Sequence, residues 1–256
     1  MDQAADRDYV ESLARGLAVI EAFANQQHQL SIARISHKTG IARAAVRRYL
    51  HTLVALGYVT GHDGGRFSLR PKVANLGQVY LSATALPAIA QKHLDGLAGD
   101  VGQACSLGVL DGADMLYLAR ANSSPVMSPR FNVGCRLPAH CTSIGLVMLA
   151  DLPEADLEER IRSTRFVPYT QLTVSSPETL RESLAQVREN GFAIADQQLE
   201  AGFRSIAVPV RDGSGILVAG MNVIVPVARA TREQLRMRYL EPLGLAARQL
   251  GTSLAG

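Results

Sequence analysis

The sequence predicts an α+β chain: a winged helix-turn-helix at the N-terminus, a helical connector, and a C-terminal domain in which helices flank an antiparallel sheet. Three observations carry this reading. Residues 12–70 read as short helices, two of them separated by a tight turn, followed by a hairpin. Beyond Gly99 the apolar pattern switches to short β-like runs mixed with separate helical stretches. The charge is also uneven. From Ala22 to His62 the chain has no Asp or Glu but holds Arg34, Lys38, Arg43, Arg47 and Arg48. Residues 1–70 carry nine Lys/Arg against six Asp/Glu and the remainder seventeen of each, so the formal net charge of +3 lies wholly in the first quarter.

In chain order, Ser12 is placed to cap a first helix whose apolar residues Leu13, Leu17, Ile20 and Phe23 recur at helical spacing. Ser31 caps a second, Ile32–Thr39, closed by a left-handed Gly40. A third runs from Ala42 to about Leu56. Its buried stripe is Val46, Leu50, Leu53 and Gly57, which leaves Arg43, Ala44, Arg47, Arg48 and His51 facing outward. Tyr58-Val59-Thr60 and Phe67-Ser68-Leu69 then flank a turn through Asp63-Gly64-Gly65, the wing of a domain spanning 8–70.

Residues 71–98 read as the connector, with Val73, Leu76, Tyr80 and Ala83 on one seam and Pro87 breaking or restarting the helix before Ile89, Leu94 and Leu97. The domain at 99–256 takes strands at Ala104–Leu110, Met115–Ala119, Gly191–Asp196, Ser205–Val210 and Ile216–Ile224, the last two joined by Asp212-Gly213-Ser214-Gly215. Its helices are Ser143–Ala150, Glu154–Arg162, Pro177–Asn190 and Arg232–Leu250.

Several classes are excluded. The acidic N-terminal stretch DQAADRDYVE is no secretory signal, and Ile216–Val227 is well short of the ~20 apolar residues that span a bilayer. Three irregularly spaced cysteines make neither a disulfide framework nor a zinc ribbon, which points to a reduced cytoplasm. No Walker loop, nucleophile elbow or dinucleotide fingerprint is present, and no cofactor is implied.

The outward arginines are the sharpest feature. In a helix-turn-helix the second helix enters the major groove, where Arg43, Arg47 and Arg48 can pair with guanine or phosphate oxygens. Ser31 and Lys38, at opposite ends of the preceding helix, suit phosphate contacts, and Arg66 lies in the wing. In the C-terminal part, the polar loop from Val133 to Gly145 runs straight into an apolar helix. The helix start, with the Thr142 and Ser143 hydroxyls and the Gly145 N–H, is either an ordinary cap or an anion site. Arg204 either pairs with Glu200 or Asp196 or faces a ligand carboxylate. His140, between Cys135 and Cys141, lacks partners at metal-ligand spacing and reads better as a hydrogen-bond donor than as a metal ligand. Leu137, Met127 and Met221 are expected to cover a ligand's ring.

With these segments in place, the chain resembles the IclR family of bacterial transcriptional regulators over nearly its full length. The resemblance lies in Ser12–Leu17, in Thr39–Leu50, in Leu56-Gly57-Tyr58-Val59, in Arg136-Leu137-Pro138-Ala139 and in Arg204–Val210, and is closest to the branch that controls aromatic-acid catabolism (protocatechuate, 4-hydroxybenzoate and β-ketoadipate). It implies a winged helix, a dimerising linker helix and a GAF-like effector domain that helps form tetramers. The effector pocket it implies is bounded by the loop Leu137, Pro138, Ala139, His140, Thr142, Ser143, Ile144 and Gly145. Strand residues Asp196, Glu200, Arg204, Ser205 and Ala207, with Met221 and Asn222, complete it. The expectation is a regulator of a catabolic operon, not an enzyme, that senses a small aromatic or related carboxylic acid. Its partners would be an operator duplex, a second copy of itself (a homodimer, paired into a homotetramer) and RNA polymerase, with no membrane, at the bacterial nucleoid. The rival is a constitutive DNA-binding protein whose C-terminal domain only oligomerises.

Overall fold

The computed structural model describes residues 8–23, 28–121 and 131–254. By internal packing the chain divides between Ala83 and Thr84, inside the 71–98 stretch, into two compact units.

The first unit opens with helix α1, Glu11–Glu21. Val10, not Ser12, occupies its N-cap, and Ser12 lies in the first turn. Glu11 adds negative charge at the positive end of the helix and pairs with Arg15 one turn on. Strand β1, Leu30–Ser31, leads into α2, Ile32–Thr39, whose cap is the Ser31 hydroxyl accepting from the Arg34 N–H at 3.3 Å. After a turn at Gly40 comes α3, Arg43–Ala55. Strands β2, Val59–His62, and β3, Arg66–Leu69, form the wing. β1 adds a third strand, with Leu30 opposite Phe67 and Ser31 opposite Arg66. A two-residue strand carries no periodicity, so only tertiary pairing reveals it. Val19, Phe23, Leu30, Ile35, Val46, Leu50, Leu53 and Val59 form the core. A 3-10 turn, Pro71–Val73, then starts helix α4, Ala74–Ala83, on which Leu76, Val79 and Tyr80 are exposed.

The second unit begins with α5, Leu86–Val101, where Pro87 sits in the first turn, the position whose N–H has no helical acceptor anyway. Strands β4 (Ala104–Asp111), β5 (Asp114–Ala121) and β6 (Arg136–Pro138) follow. Next come α6 (Ser143–Ala150), α7 (Glu154–Ser163) and α8 (Pro177–Asn190). Strands β7 (Ala193–Asp196), β8 (Phe203–Arg211) and β9 (Leu217–Pro226) and the long helix α9 (Arg232–Ser253) complete it. The six strands form one antiparallel sheet in the order β6-β5-β4-β9-β8-β7. Strand β8 starts two residues earlier than its apolar pattern implies, which moves Phe203 and Arg204 from a loop into the sheet.

Every residue of α6 is buried, because it is enclosed by the sheet and α8. Its close seating needs Gly145: a Cβ there would lie 2.2 Å from the Ala139 carbonyl oxygen. The Asp212 carboxylate accepts from the N–H groups of Ser214 and Ile216 at 2.9 and 3.1 Å, closing the β8–β9 hairpin. The Ser214 hydroxyl, which donates to the same carboxylate at 2.6 Å, and then these backbone donors hold the Asp212 carboxyl below the usual carboxylate range.

Candidate functional site

The first candidate surface lies on α3. Burial of Val46, Leu50 and Leu53 points one face into the core, so Arg43, Ala44, Arg47, Arg48 and His51 are exposed on the other. Arg66 and Ser31, directly opposite each other across β3 and β1, are exposed as well. Lys38 is differently employed. Its Nζ donates to the Ala22 carbonyl at 2.7 Å, where α1 ends, so the ammonium neutralises the negative end of that helix. The phosphate role expected for Lys38 therefore competes with a structural one.

The second is a cleft in the C-terminal unit, at the start of α6. Of the residues expected there, Thr142, Ser143, Glu200, Arg204, Ser205 and Asn222 line it. Hydroxyls and an amide meet at its floor: Ser143 Oγ donates to Ser205 Oγ at 2.8 Å and accepts from Asn222 Nδ2 at 3.4 Å. The Asn222 side chain is 2% exposed, and its Oδ1 has no partner among the described residues; the same holds for Gln198 Oε1. A buried carbonyl oxygen without a donor is unfavourable by ~1–3 kcal/mol, so a site with such groups is suited to a ligand that supplies donors.

The apolar walls are made by residues other than the Leu137 and Met221 that the sequence suggested. Phe131 and Phe203 meet edge to face at 6.1 Å between centroids, and Tyr117, Leu199 and Ile224 add to them. Cys141 is also on the wall, its thiol pushed up to about 12 by burial, and Tyr117 is raised to about 12 for the same reason. The cavity within the cleft is small, about 30 Å³.

Other expected residues lie elsewhere. Met221 alternates with Asn222 along β9, so it faces the opposite side of the sheet and cannot cover a ligand held beside Asn222. Leu137, Ala139, Ile144 and Ala207 belong to the buried core, and Pro138 pairs with Asp114 at the β5–β6 edge. Met127 lies outside the described residues. The Gly145 N–H is spent on the Thr142 hydroxyl at 3.3 Å, an ordinary helix cap. Arg204 is committed to the protein: its Nε donates to Asp196 at 3.0 Å and an Nη to the Ala230 carbonyl at 2.5 Å. His140 is 1% exposed, packed edge-on against Phe166 at 5.2 Å, with neither ring nitrogen partnered among the described residues. Burial holds it below its ordinary value of 6.5, only partly offset by Asp114. Among the described residues no group of three or more His, Cys, Asp or Glu could hold a metal ion.

The loop Gln197–Gly202 that covers the cleft is itself pinned. Thr170 and Thr173 hydroxyls donate to the Gln197 and Gln198 carbonyls at 2.7 and 2.6 Å, and Gln197 Oε1 accepts from the Gly202 N–H at 3.2 Å. Gln197 takes φ 55°, a left-handed conformation uncommon outside glycine. No local sequence pattern announces that clasp, whose two halves lie 25 to 28 residues apart.

Comparison with known proteins bears on both surfaces. Residues 12–63 match the IclR helix-turn-helix domain, and residues 78–252 match the C-terminal domain of the bacterial transcriptional regulator IclR. The Pca regulon regulatory protein of Pseudomonas putida is 46% identical over 98% of this chain and 86% of its own length. The p-hydroxybenzoate hydroxylase transcriptional activator of Acinetobacter baylyi is 34% identical, covering 95% of this chain and 91% of that protein. Among solved structures, a transcriptional regulator from Rhodococcus superposes with a TM-score of 0.79 at 39% identity, covering 96% of this chain and 98% of that one. A homologue from Microbacterium hydrocarbonoxydans complexed with 4-hydroxybenzoate gives 0.76 at 26% identity over 95% and 98%. No described helix is long and apolar enough to cross a membrane.

Proposed function

The chain belongs to the IclR family of bacterial transcriptional regulators, a ligand-responsive DNA-binding protein and not an enzyme, and we propose that it responds to a small carboxylic acid, aromatic or related to aromatic catabolism, bound in the α6 cleft. The observation that carries this reading is the buried, unpartnered Asn222 carbonyl beside the Ser143–Ser205 pair, beneath the rings of Phe131 and Phe203. A carboxylate sits well at the start of α6, where the Ser143 and Ile144 N–H groups, unlike that of Gly145, have no acceptor within the helix and the dipole is positive. Hydroxyl or other donors of the ligand satisfy Asn222 and Gln198. Arg204, tied to Asp196, supports the site through its charge and by holding the loop, not by a free guanidinium fork.

A cavity of about 30 Å³ does not take a ring-bearing acid, for which pockets run to ~300 Å³ or more, so binding must go with opening of the Phe131–Phe203 wall or of the 197–202 loop. That requirement gives the ligand its leverage, since it binds the open arrangement better than the closed one.

The α3 face of one copy engages one half-site of an operator, and two copies joined through the exposed apolar face of α4 span a pseudo-palindrome. Two such dimers pair through the effector units. RNA polymerase is the further partner and the nucleoid of the bacterial cytoplasm the place of action. Thermal shift and calorimetry of the full chain with 4-hydroxybenzoate, protocatechuate, benzoate and an aliphatic dicarboxylate test the proposal. Stabilisation by at least one of these acids is expected, with altered operator affinity. Indifference to all of them overturns it in favour of constitutive DNA binding.

A further inference from the structure

The recognition helix α3 ends in a glycine-mediated cap. The Tyr58 N–H donates to the Leu53 carbonyl at 2.9 Å and the Gly57 N–H to the Val54 carbonyl at 3.0 Å, with Gly57 at φ 79°. This leaves the Leu56 carbonyl, at the negative end of α3, without a backbone donor in the cap. Lys72 supplies one: its Nζ donates to the Leu56 carbonyl at 2.9 Å and stands 4.8 Å over the Tyr58 ring. Lys72 belongs to the 3-10 turn Pro71–Val73 from which α4 grows. Its neighbour Arg70 donates its backbone N–H to the Tyr58 carbonyl at 2.8 Å, which continues the wing ladder up to that turn. One side chain thus spans from the root of α4 to the end of the helix that carries Arg43 and Arg47.

We propose that Lys72 is a positioning residue that locks the direction of α4 to that of the recognition helix, and so sets the half-site spacing that a dimer accepts. The inference rests on the dimeric operator binding described under the proposed function. Without the clasp, the hairpin backbone still joins the two helices in sequence and the Arg70 side chain still lies near Gly57, but the Leu56 carbonyl at the end of α3 loses the cation that ties it to the turn. Each recognition helix then swings about Gly57, and the pair tolerates half-sites at the wrong distance.

The test compares wild type, Lys72→Met, which keeps much of the stem and loses the charge, and Lys72→Arg, which keeps a donor and the ring contact. An operator is first selected from randomised duplexes with the wild-type full chain. Affinities are then measured for it and for the same duplex with the central spacer changed by a base pair or two, alongside thermal melts of each variant. The penalty for the altered spacer should shrink by about two- to fivefold in Lys72→Met, the scale of one helix-end cation, and be retained in Lys72→Arg. A purely stabilising Lys72 would lower both affinities together and leave their ratio unchanged. That outcome, an unchanged ratio in Lys72→Met with a spacing-selective wild type, overturns the inference alone. A wild type indifferent to spacing overturns the dimeric reading and this inference with it.

Discussion

Ser143 and Ser205, sixty-two residues apart, share a hydrogen bond of 2.8 Å that joins the first turn of α6 to strand β8 at the floor of the cleft. Replacing Ser143 by Asp sets a fixed negative charge where the acid's carboxylate is proposed to lie. Like charges ~4 Å apart repel by about 4 kcal/mol at an intermediate dielectric, so affinity for the acid should fall at least a hundredfold. Ser143→Ala, which removes only a hydroxyl, should weaken it by about two- to tenfold. Calorimetry on both variants, with operator binding retained, checks the placement; undiminished affinity in Ser143→Asp moves the pocket elsewhere.

Arg43 and Arg47 project from α3, whereas Lys38 is turned back on Ala22. Arg43→Ala and Arg47→Ala should each weaken operator binding by ~1–3 kcal/mol with unchanged melting temperature. Lys38→Met should do the reverse, lowering stability by ~0.5–1.5 kcal/mol through loss of a helix-end hydrogen bond, with a smaller effect on affinity. Fluorescence anisotropy and thermal melts on the three variants separate contact from support.

His140 is depressed below its ordinary value of 6.5 by burial. Between the folded and unfolded values the unfolded chain binds more protons, so stability rises with pH there. The neutral ring's contribution is present above pH 6.5 and is lost as pH falls through the lower folded value. The effector unit of the wild type should therefore melt progressively earlier as pH falls below 6.5, and His140→Leu should flatten that dependence. Equal slopes in calorimetric melts of the two proteins would remove the role assigned to this ring.

Leu76 and Tyr80, 49% and 46% exposed, present apolar surface on α4. If this face joins two copies, changing both residues to Glu should split the dimer in sedimentation and cost much of the operator affinity, because simultaneous engagement of two half-sites is lost. An intact dimer in the double variant would place the interface on another surface.

What the sequence determined by itself is whatever depends on neighbours a few residues apart. Helical periodicity and caps set α2, α6 and α8 to their end residues, and the acid-free arginine face of α3 follows from which residues share 3.6-residue spacing. Local pattern singles out Thr142, Ser143 and Arg204, the family resemblance adds Glu200, Ser205 and Asn222, and the fold brings all six to one cleft. Only the tertiary structure decided which side of a strand each residue faces once registers are paired. Asn222 enters the cleft while Met221, its neighbour, is turned into the core. It also decided the employment of long side chains: Lys38, Lys72 and Arg204 reach acceptors 16 to 26 residues away in sequence. Strands β1 and β6, too short to carry a period, exist because a neighbouring edge offers them unpaired backbone groups, a condition that no local pattern encodes.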